Sequence, residues 1–211
     1  MKLIFGTTSK RKVEDLQNII NEMNLDIQVL GLEYINWDMG EIEENGLTIE
    51  ENSLIKAQTI LSFCKEHNID YPIMADDAGL FVDVLNGEPG VYTARYADDE
   101  IIANPELPKH QCVIKLLRKL NNIKDRRATY RCCVTIMMPN GEYKQEMGES
   151  KGSIAEDIIG ELKKPYFYSV FILEGTNVAF SELKGNELDD TYRYSALRKA
   201  LRKYYDLEGR K

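Results

Sequence analysis

The chain has 211 residues, 43% of them hydrophobic, and a formal net charge of −8. This length and apolar content suffice for a substantial core, and the net negative charge argues against general binding to nucleic-acid backbones or anionic membranes. No apolar run approaches the roughly 20 residues of a membrane span. The N-terminus lacks the long apolar stretch of a signal peptide. We therefore expect a cytoplasmic protein without a membrane or nucleic-acid partner.

Strand-like and helix-like segments alternate along the first third of the chain. Residues 2–5 predict a strand, Ser9 is a helix cap, and apolar residues spaced three and four apart predict a helix over residues 10–23. A second strand is predicted over residues 27–32 and a second helix over residues 50–66, with Thr48 and Glu51 in a capping-box pattern. A short buried strand, residues 71–75, follows.

The second half is richer in strand signals. Residues 128–138 read as a strand, and Pro-Asn-Gly at 139–141 predicts a hairpin turn after it. Residues 166–173, YFYSVFIL, predict a further strand, and a helix is expected at the C-terminal end. The simplest assembly is an α/β fold, a single domain over residues 1–211, in which a mixed twisted sheet with flanking helices forms two lobes around a central cleft.

Polar and basic residues follow the first predicted strand. Thr7, Thr8, Ser9 and Lys12 lie at the start of a helix, where backbone N–H groups and the helix dipole favour an anion. This arrangement suits a polyphosphate. Because no Walker glycine pattern is present, a capped surface helix with solvated lysines is the alternative.

Two adjacent carboxylates, Asp76 and Asp77, follow the buried strand at 71–75. Neighbouring carboxylates repel unless a cation or proton lies between them, and ligands bind at the carboxyl ends of strands in α/β sheets. Glu44 lies beside a turn that can aim its carboxylate inward, and Lys56 follows on the next helix. Magnesium favours oxygen ligands and bridges carboxylates to phosphates. A magnesium site is therefore predicted, with a turn that merely uses aspartate as the alternative.

Three segments, TTSKRKVEDL, ENGLTIEENSLIKA and ADDAGLFVDVLNGEPGVYTARYA, resemble in order and spacing the inosine triphosphate pyrophosphatases, also called Ham1-like or RdgB-like. The resemblance covers most of the first hundred residues and is looser beyond them. It implies a two-lobed α/β homodimer that uses Mg²⁺ to hydrolyse non-canonical purine nucleoside triphosphates, such as ITP, dITP and XTP. The products are the monophosphate and pyrophosphate.

The resemblance also implies roles for individual residues. The residues implied in catalysis are Asp77 as general base, with Lys12 and Lys56 on the phosphates, and those implied in metal binding are Glu44, Asp76 and Asp77. The residues implied in substrate binding are Thr7, Thr8, Ser9, Lys12, Ala78, Tyr166, Phe167, Tyr168, Ser169, Tyr192 and Arg193. Ser9 stands where the family has asparagine, and Ala78 stands where it has serine.

The second half departs from the family pattern where the base is recognised. Ser169 stands at the position of the aspartate in G-F-G-Y-D-P, and Tyr192 at the position of the histidine in S-H-R. The aromatic residues nearby can stack on a base, although aromatic residues in a strand more often belong to the core. Three hypotheses stay open: a pyrophosphatase for deaminated purine nucleotides, the same chemistry on other nucleotides, and a nucleotide-binding protein with little or no turnover.

Overall fold

A computed structural model of the chain describes residues 1–108, 110–163, 165–188 and 190–208. Over these residues the fold is mixed α/β, with seven β-strands and five α-helices. The strands are β1 (Lys2–Phe5), β2 (Gln28–Leu30), β3 (Ile73–Val82), β4 (Pro89–Gly90), β5 (Arg127–Met137), β6 (Tyr143–Ile154) and β7 (Phe171–Leu173). The helices are α1 (Lys10–Glu22), α2 (Ile49–Glu66), α3 (Asp98–Ala103), α4 (Gln111–Lys119) and α5 (Tyr192–Glu208).

The strands of the described chain form one sheet in the order β2-β1-β3-β5-β6-β7, and β4 pairs with β3 off this path. β1 is parallel to β2 and to β3, with Lys2 opposite Gln28 and Ile4 opposite Ile73. The pairs β3–β4 and β6–β7 are antiparallel. Because both kinds of pairing occur in one sheet, the predicted mixed α/β fold is confirmed.

The chain divides into two compact units. The first contains Met1–Asp77, Cys132–Gly148 and residues 193–208, and the second contains the described residues of Ala78–Arg131 and Glu149–Tyr192. The arrangement as a single domain with two lobes around a central cleft stays a prediction. Nowhere in the described part of the chain does a helix have both the length and the apolar composition that crossing a membrane requires.

The core of the first unit packs α2 against β1 and β3. The side chains that meet there are Ile4, Leu32, Ile35, Ala57, Ile60, Leu61, Phe63, Cys64, Ile73, Ala75 and Met137. Both predicted helix caps are confirmed, since Ser9 Oγ accepts from the Lys12 N–H at 3.4 Å and Thr48 Oγ1 accepts from the Glu51 N–H at 3.1 Å. These bonds satisfy N–H groups that a first helical turn leaves unpaired, so they fix where α1 and α2 begin.

An aromatic cluster forms much of the core of the second unit. The ring of Tyr130 stacks on those of Tyr192 and Phe180, with centroids 4.9 and 5.7 Å away. Phe171 and Tyr168 meet the same ring edge-on, at 5.0 and 5.5 Å. Both geometries suit the charge distribution of aromatic rings, so the cluster adds directional attraction to the burial of apolar area.

The strand that carries the paired acids is longer than predicted. β3 runs from Ile73 to Val82, so Asp76 and Asp77 lie inside a strand and not before a turn. Gly79 lies where β4 pairs with β3: a Cβ on Gly79 would be 2.5 Å from the Gly90 carbonyl oxygen. Glycine at this position therefore permits close contact of two backbones.

The predicted strand over residues 166–173 is wrong in its first half. Tyr166–Ser169 forms a 3-10 helix, and only Phe171–Leu173 is a strand. The Val170 N–H donates to the Phe167 carbonyl oxygen at 3.1 Å, so local turns replace ladder hydrogen bonds there. A run of aromatic residues is typical of strands, but here Tyr168 reaches the aromatic cluster from a 3-10 helix, and Phe167 packs near Tyr96.

Candidate active site

The first compact unit brings six predicted site residues into one region. They are Lys12 on α1, Glu44 in the segment before α2, Lys56 on α2, Asp76 and Asp77 on β3, and Arg193 in the first turn of α5. Ion pairs and hydrogen bonds connect elements that are far apart in the sequence.

Asp76 is a buried acid surrounded by cations. It is 2% exposed. Lys12 Nζ lies 3.3 and 3.2 Å from its two carboxylate oxygens, and Arg193 Nε lies 3.0 Å from Oδ2. Burial alone would raise the pKa of Asp76, but the charges of Lys12, Arg193 and Lys56 outweigh it and hold the pKa well below its ordinary value. Asp76 is therefore an anion that holds two cations in place.

Lys56 connects β3 with the segment before α2. Its Nζ donates to the Asp76 carbonyl oxygen at 2.8 Å and lies 2.7 Å from Glu44 Oε1. Burial would lower the pKa of Lys56, but the charges of Asp76 and Glu44 outweigh it, so the pKa is raised. Lys56 therefore stays protonated and contributes a positive charge to the site.

Asp77 lies on the other face of β3. Its Oδ2 accepts a hydrogen bond from Asn52 Nδ2 at 3.1 Å, and the residue is half-buried. Successive residues of a strand place their side chains on opposite faces, so Asp76 and Asp77 do not share one space. The repulsion expected from the sequence is thus relieved by the geometry of the strand as well as by the cations around Asp76.

The residues after β1 form the expected polar start of α1. Thr7 Oγ1 accepts from the Ser9 N–H at 3.1 Å, and Thr8 is exposed. The first turn of α1 contains no acidic residue, so no negative side chain of that turn would repel an anion at the positive end of the helix. The alternative of solvated lysines does not describe Lys12, because its ammonium group is bonded to a buried carboxylate.

The metal prediction concerns Glu44, Asp76 and Asp77. Among the residues that the structure describes, no three His, Cys, Asp or Glu side chains form a group that could hold a metal ion. Glu44 pairs with Lys56, and Asp76 pairs with Lys12, so the carboxylates share a region without forming one ligand cluster. Their chemistry still fits magnesium, which usually takes one or two carboxylates and completes its coordination with phosphate oxygens and water.

The residues implied in base recognition lie in the second unit and belong largely to its core. Phe167, Ser169 and Tyr192 are 3, 1 and 5% exposed. Ser169 Oγ donates to the Tyr166 carbonyl oxygen at 2.7 Å, and the hydroxyls of Tyr168 and Tyr192 are hydrogen-bonded to each other at 2.6 Å. Core packing, the alternative reading of these aromatic residues, therefore describes Phe167 and Tyr192 here. Tyr166 and Tyr168 are half-buried.

Two further residues implied in substrate binding are Arg193 and Ala78. Arg193 is 9% exposed, and its guanidinium group bonds to the buried Asp76. Ala78 follows Asp77 in β3, is half-buried, and has no polar side-chain atom to offer a ligand. Their part in substrate binding stays a prediction.

One residue of the site, Asn52, has no role among the predictions from the sequence. It is completely buried and bonds to Asp77. Its spacing of four residues from Lys56 places both side chains on one face of α2. That spacing is visible in the segment ENSLIKA, and it is the signal that could have identified Asn52.

Comparisons with known proteins agree with the resemblance noted in the sequence. A family model described as the Ham1 family matches residues 3–206. The chain is 35% identical to a dITP/XTP pyrophosphatase of Clostridium perfringens, over 88% of each chain. It is 33% identical to a dITP/XTP pyrophosphatase of Leuconostoc mesenteroides, over 89% of this chain and 88% of that one.

Solved structures give the same result for the fold. The Ham1 protein of Staphylococcus aureus matches with a TM-score of 0.78 and 29% identity, over 100% of both chains. A HAM1 protein of Coxiella burnetii has the same TM-score at 23% identity, over 98% of each chain, and shows the fold alone. From the family model, the relatives and the shared fold together, we conclude that this chain belongs to the Ham1 family.

Proposed function

We propose that the chain is a magnesium-dependent nucleoside triphosphate pyrophosphatase that hydrolyses non-canonical purine nucleotides, such as ITP, dITP and XTP. Membership of the Ham1 family and relatives named dITP/XTP pyrophosphatase support hydrolysis of nucleoside triphosphates. The observation that carries the proposal is that consecutive residues of β3 hold a half-buried carboxylate, Asp77, and a buried one, Asp76, that is surrounded by Lys12, Arg193 and Lys56. A general base and a cationic site for phosphates are what this reaction requires.

The phosphates are assigned to Lys12 and Lys56. Lys12 is 34% exposed in its side chain, and it lies in the first turn of α1. Its bond to Asp76 fixes the position of the ammonium group before a substrate arrives. Preorganised positive charge stabilises the negative charge that develops on departing pyrophosphate more effectively than mobile charge does.

Asp77 is assigned as the general base that accepts the proton of the attacking water. When water cleaves the anhydride between the α and β phosphates, one product is the monophosphate and the other is pyrophosphate. The water loses a proton in this step, and an ionised carboxylate can accept it. Asp76 is a poor candidate for that role, because its oxygens are engaged by Lys12 and Arg193 and its pKa is lowered.

The carboxylates that would hold magnesium are Asp77 and Glu44, with phosphate oxygens of the substrate completing the site. Bound there, the ion would neutralise phosphate charge and polarise the water. Asp76, which was also predicted as a ligand, instead positions Lys12 in this proposal. Formation of a homodimer and location in the cytoplasm stay predictions.

A broader substrate range is the second candidate. The hydroxyls of Ser169 and Tyr192, expected to read the base, are bonded within the second unit. A site without dedicated donors and acceptors discriminates weakly between bases. ITP or XTP should then remain a substrate, with a smaller advantage over ATP and GTP than the family pattern implies.

The test is release of pyrophosphate from a panel of ribonucleoside and deoxyribonucleoside triphosphates by the purified protein. We expect release from ITP, dITP or XTP with magnesium, loss of activity with EDTA, and recovery when magnesium is restored. Asp77→Asn should lower kcat by about 100- to 10,000-fold while the protein stays folded. Wild-type activity in Asp77→Asn would refute the base assignment, and no release from any triphosphate would favour a nucleotide-binding protein.

A further inference from the structure

We infer that Asn52 is a positioning residue that sets the orientation of Asp77 and, with the same side chain, holds the backbone of Gly46, two residues after Glu44. The inference rests on the proposed function, because Asp77 is the base of that reaction. Asn52 is 0% exposed. A buried amide is unfavourable unless its polar groups are hydrogen-bonded, so the partners of Asn52 decide what it does.

The two ends of the amide serve different partners. Asn52 Nδ2 donates to Asp77 Oδ2 at 3.1 Å, and Asn52 Oδ1 accepts from the Gly46 N–H at 2.8 Å. An ionised carboxylate can only accept, and a backbone N–H can only donate. The amide can therefore satisfy both neighbours in one orientation, and rotating it by half a turn would break both bonds.

The backbone at Gly46 packs closely against Asn52. A Cβ on Gly46 would lie 2.8 Å from Asn52 Oδ1 and 2.7 Å from Glu51 Cβ. A side chain at position 46 would push on the atom of Asn52 that accepts from the Gly46 N–H. Gly46 is two residues from Glu44, whose carboxylate pairs with Lys56. The buried amide thus connects the segment that carries one proposed metal ligand with the carboxylate of the other.

This connection matters because a general base works only when its oxygen faces the reacting water. Fixing Oδ2 of Asp77 also fixes the direction of Oδ1, and within this inference Oδ1 is the oxygen that accepts the proton of the water. A displacement of about 1 Å in a reacting group can lower a rate by about 100-fold. Asn52 should therefore affect the chemical step much more than the binding of the nucleotide.

The test compares kcat, KM and melting temperature for three single variants with ITP and magnesium. Asn52→Ala removes both hydrogen bonds. Asn52→Asp keeps an oxygen for the Gly46 N–H but loses the amino group that donates to Asp77. Ser53→Ala is the matched control, since Ser53 is the next residue on α2, is 0% exposed, and bonds to the Ala75 carbonyl oxygen at 3.0 Å.

Both Asn52 variants should lose kcat by about 10- to 100-fold, with KM changed by less than about threefold. Ser53→Ala should lower the melting temperature but keep kcat within about threefold of the wild type. A kcat for Asn52→Asp within about threefold of the wild type overturns the inference. A loss of kcat in Ser53→Ala as large as that in the Asn52 variants overturns it as well. If Asn52→Ala does not fold, Asn52→Asp decides.

A double variant tests the contact without relying on turnover. Asn52→Asp with Asp77→Asn restores a donor and an acceptor in the reversed direction. Its melting temperature should exceed that of Asn52→Asp alone, while turnover stays absent because the base is gone. If the melting temperature does not recover, the two side chains do not interact as inferred. If it recovers but wild-type protein hydrolyses no triphosphate, the proposed function fails and the contact stands.

Discussion

Arg193 Nε lies 3.0 Å from Asp76 Oδ2, although the two residues are 117 positions apart in the sequence. Arg193 is 9% exposed and Asp76 is 2% exposed. Lys12, near the start of the chain, reaches the same carboxylate. A buried anion is tolerated only with such partners, so the fold of the first unit depends on the ion pairs of the proposed site.

Removing the arginine should therefore destabilise the protein. Arg193→Ala is expected to lower the free energy of unfolding by about 3 to 5 kcal/mol, because a buried carboxylate loses one of its partners. The control is Arg198→Ala on the same helix, whose partner Glu22 is 55% exposed in its side chain. That exposed pair should contribute at most about 1 kcal/mol. Urea denaturation measures both variants, and equal losses would contradict the argument.

Stability at alkaline pH should depend on Tyr130. Among the described residues, its buried hydroxyl has no hydrogen-bond partner. Burial raises the pKa of Tyr130 well above its ordinary value, and Tyr168 and Cys112 add to the effect. In the unfolded chain tyrosine ionises near pH 10, so the folded state is fully favoured below about pH 10 and loses stability as the pH rises further.

Tyr130→Phe should remove this loss. The variant is expected to be as stable as the wild type at pH 7, or more stable by up to about 1 kcal/mol, because an unpaired hydroxyl leaves the core. The difference in free energy of unfolding between Tyr130→Phe and the wild type should grow between about pH 10 and 11. Tyr192→Phe is the control, since it breaks the 2.6 Å bond to Tyr168 and should destabilise. A Tyr130→Phe protein that is less stable than the wild type at both pH values would show that the hydroxyl has a partner.

Replacing Lys12 or Lys56 should lower kcat by a similar factor for every nucleotide. Lys56→Ala is expected to lower kcat by about 100- to 1,000-fold for each triphosphate tested, since phosphate contacts carry no information about the base. Lys12→Ala should behave in the same way. Lys65→Ala, on the exposed face of α2, is the control and should leave kcat unchanged. The measurement is pyrophosphate release with several bases, and a loss confined to one base would move these lysines out of the phosphate site.

Ser169 should have little influence on base selectivity. Its hydroxyl is 2.7 Å from the Tyr166 carbonyl oxygen in the core of the second unit. Ser169→Ala should therefore keep the ratio of kcat/KM for ITP to that for GTP within about threefold of the wild type, while lowering the melting temperature. A larger change in the ratio would show that the hydroxyl turns toward the base. Strict selectivity of the wild type for ITP over GTP would argue against the broader substrate range.

Features that depend on neighbouring residues were predictable from the sequence. The caps at Ser9 and Thr48 fix the starts of α1 and α2 within a few residues, so both helices agree with the prediction. The hairpin after β5 is equally local: β5 ends at Met137 and β6 begins at Tyr143, as the Pro-Asn-Gly turn predicts. The patterns predict no element for α4, although Val113, Leu116 and Leu120 are buried at helical spacing and carried that signal.

Features that depend on distant residues were not predictable. Which face of β3 each aspartate occupies depends on the helices and strands that pack on it. The ion pair between Arg193 and Asp76 requires α5 to lie beside β3, and no local sequence pattern predicts this packing. The 3-10 helix at Tyr166–Ser169 places Tyr168 against Tyr130, Phe167 near Tyr96 and Tyr166 near His110, and all three contacts are with residues distant in the sequence. Tertiary contacts decided these three cases.

The alternation of Asp76 and Asp77 in β3 makes the two acids sensitive to a change in chain length. A deletion of one residue in β3 before Asp76 would move each carboxylate to the opposite face of the strand. Asp76, which pairs with cations, would then face Asn52, and Asp77 would occupy the buried position among the cations. The segment between α2 and β3 can change length without this exchange. Insertions and deletions in this part of the chain should therefore fall before Ile73, and natural variants should keep the two acids adjacent and in phase with the sheet.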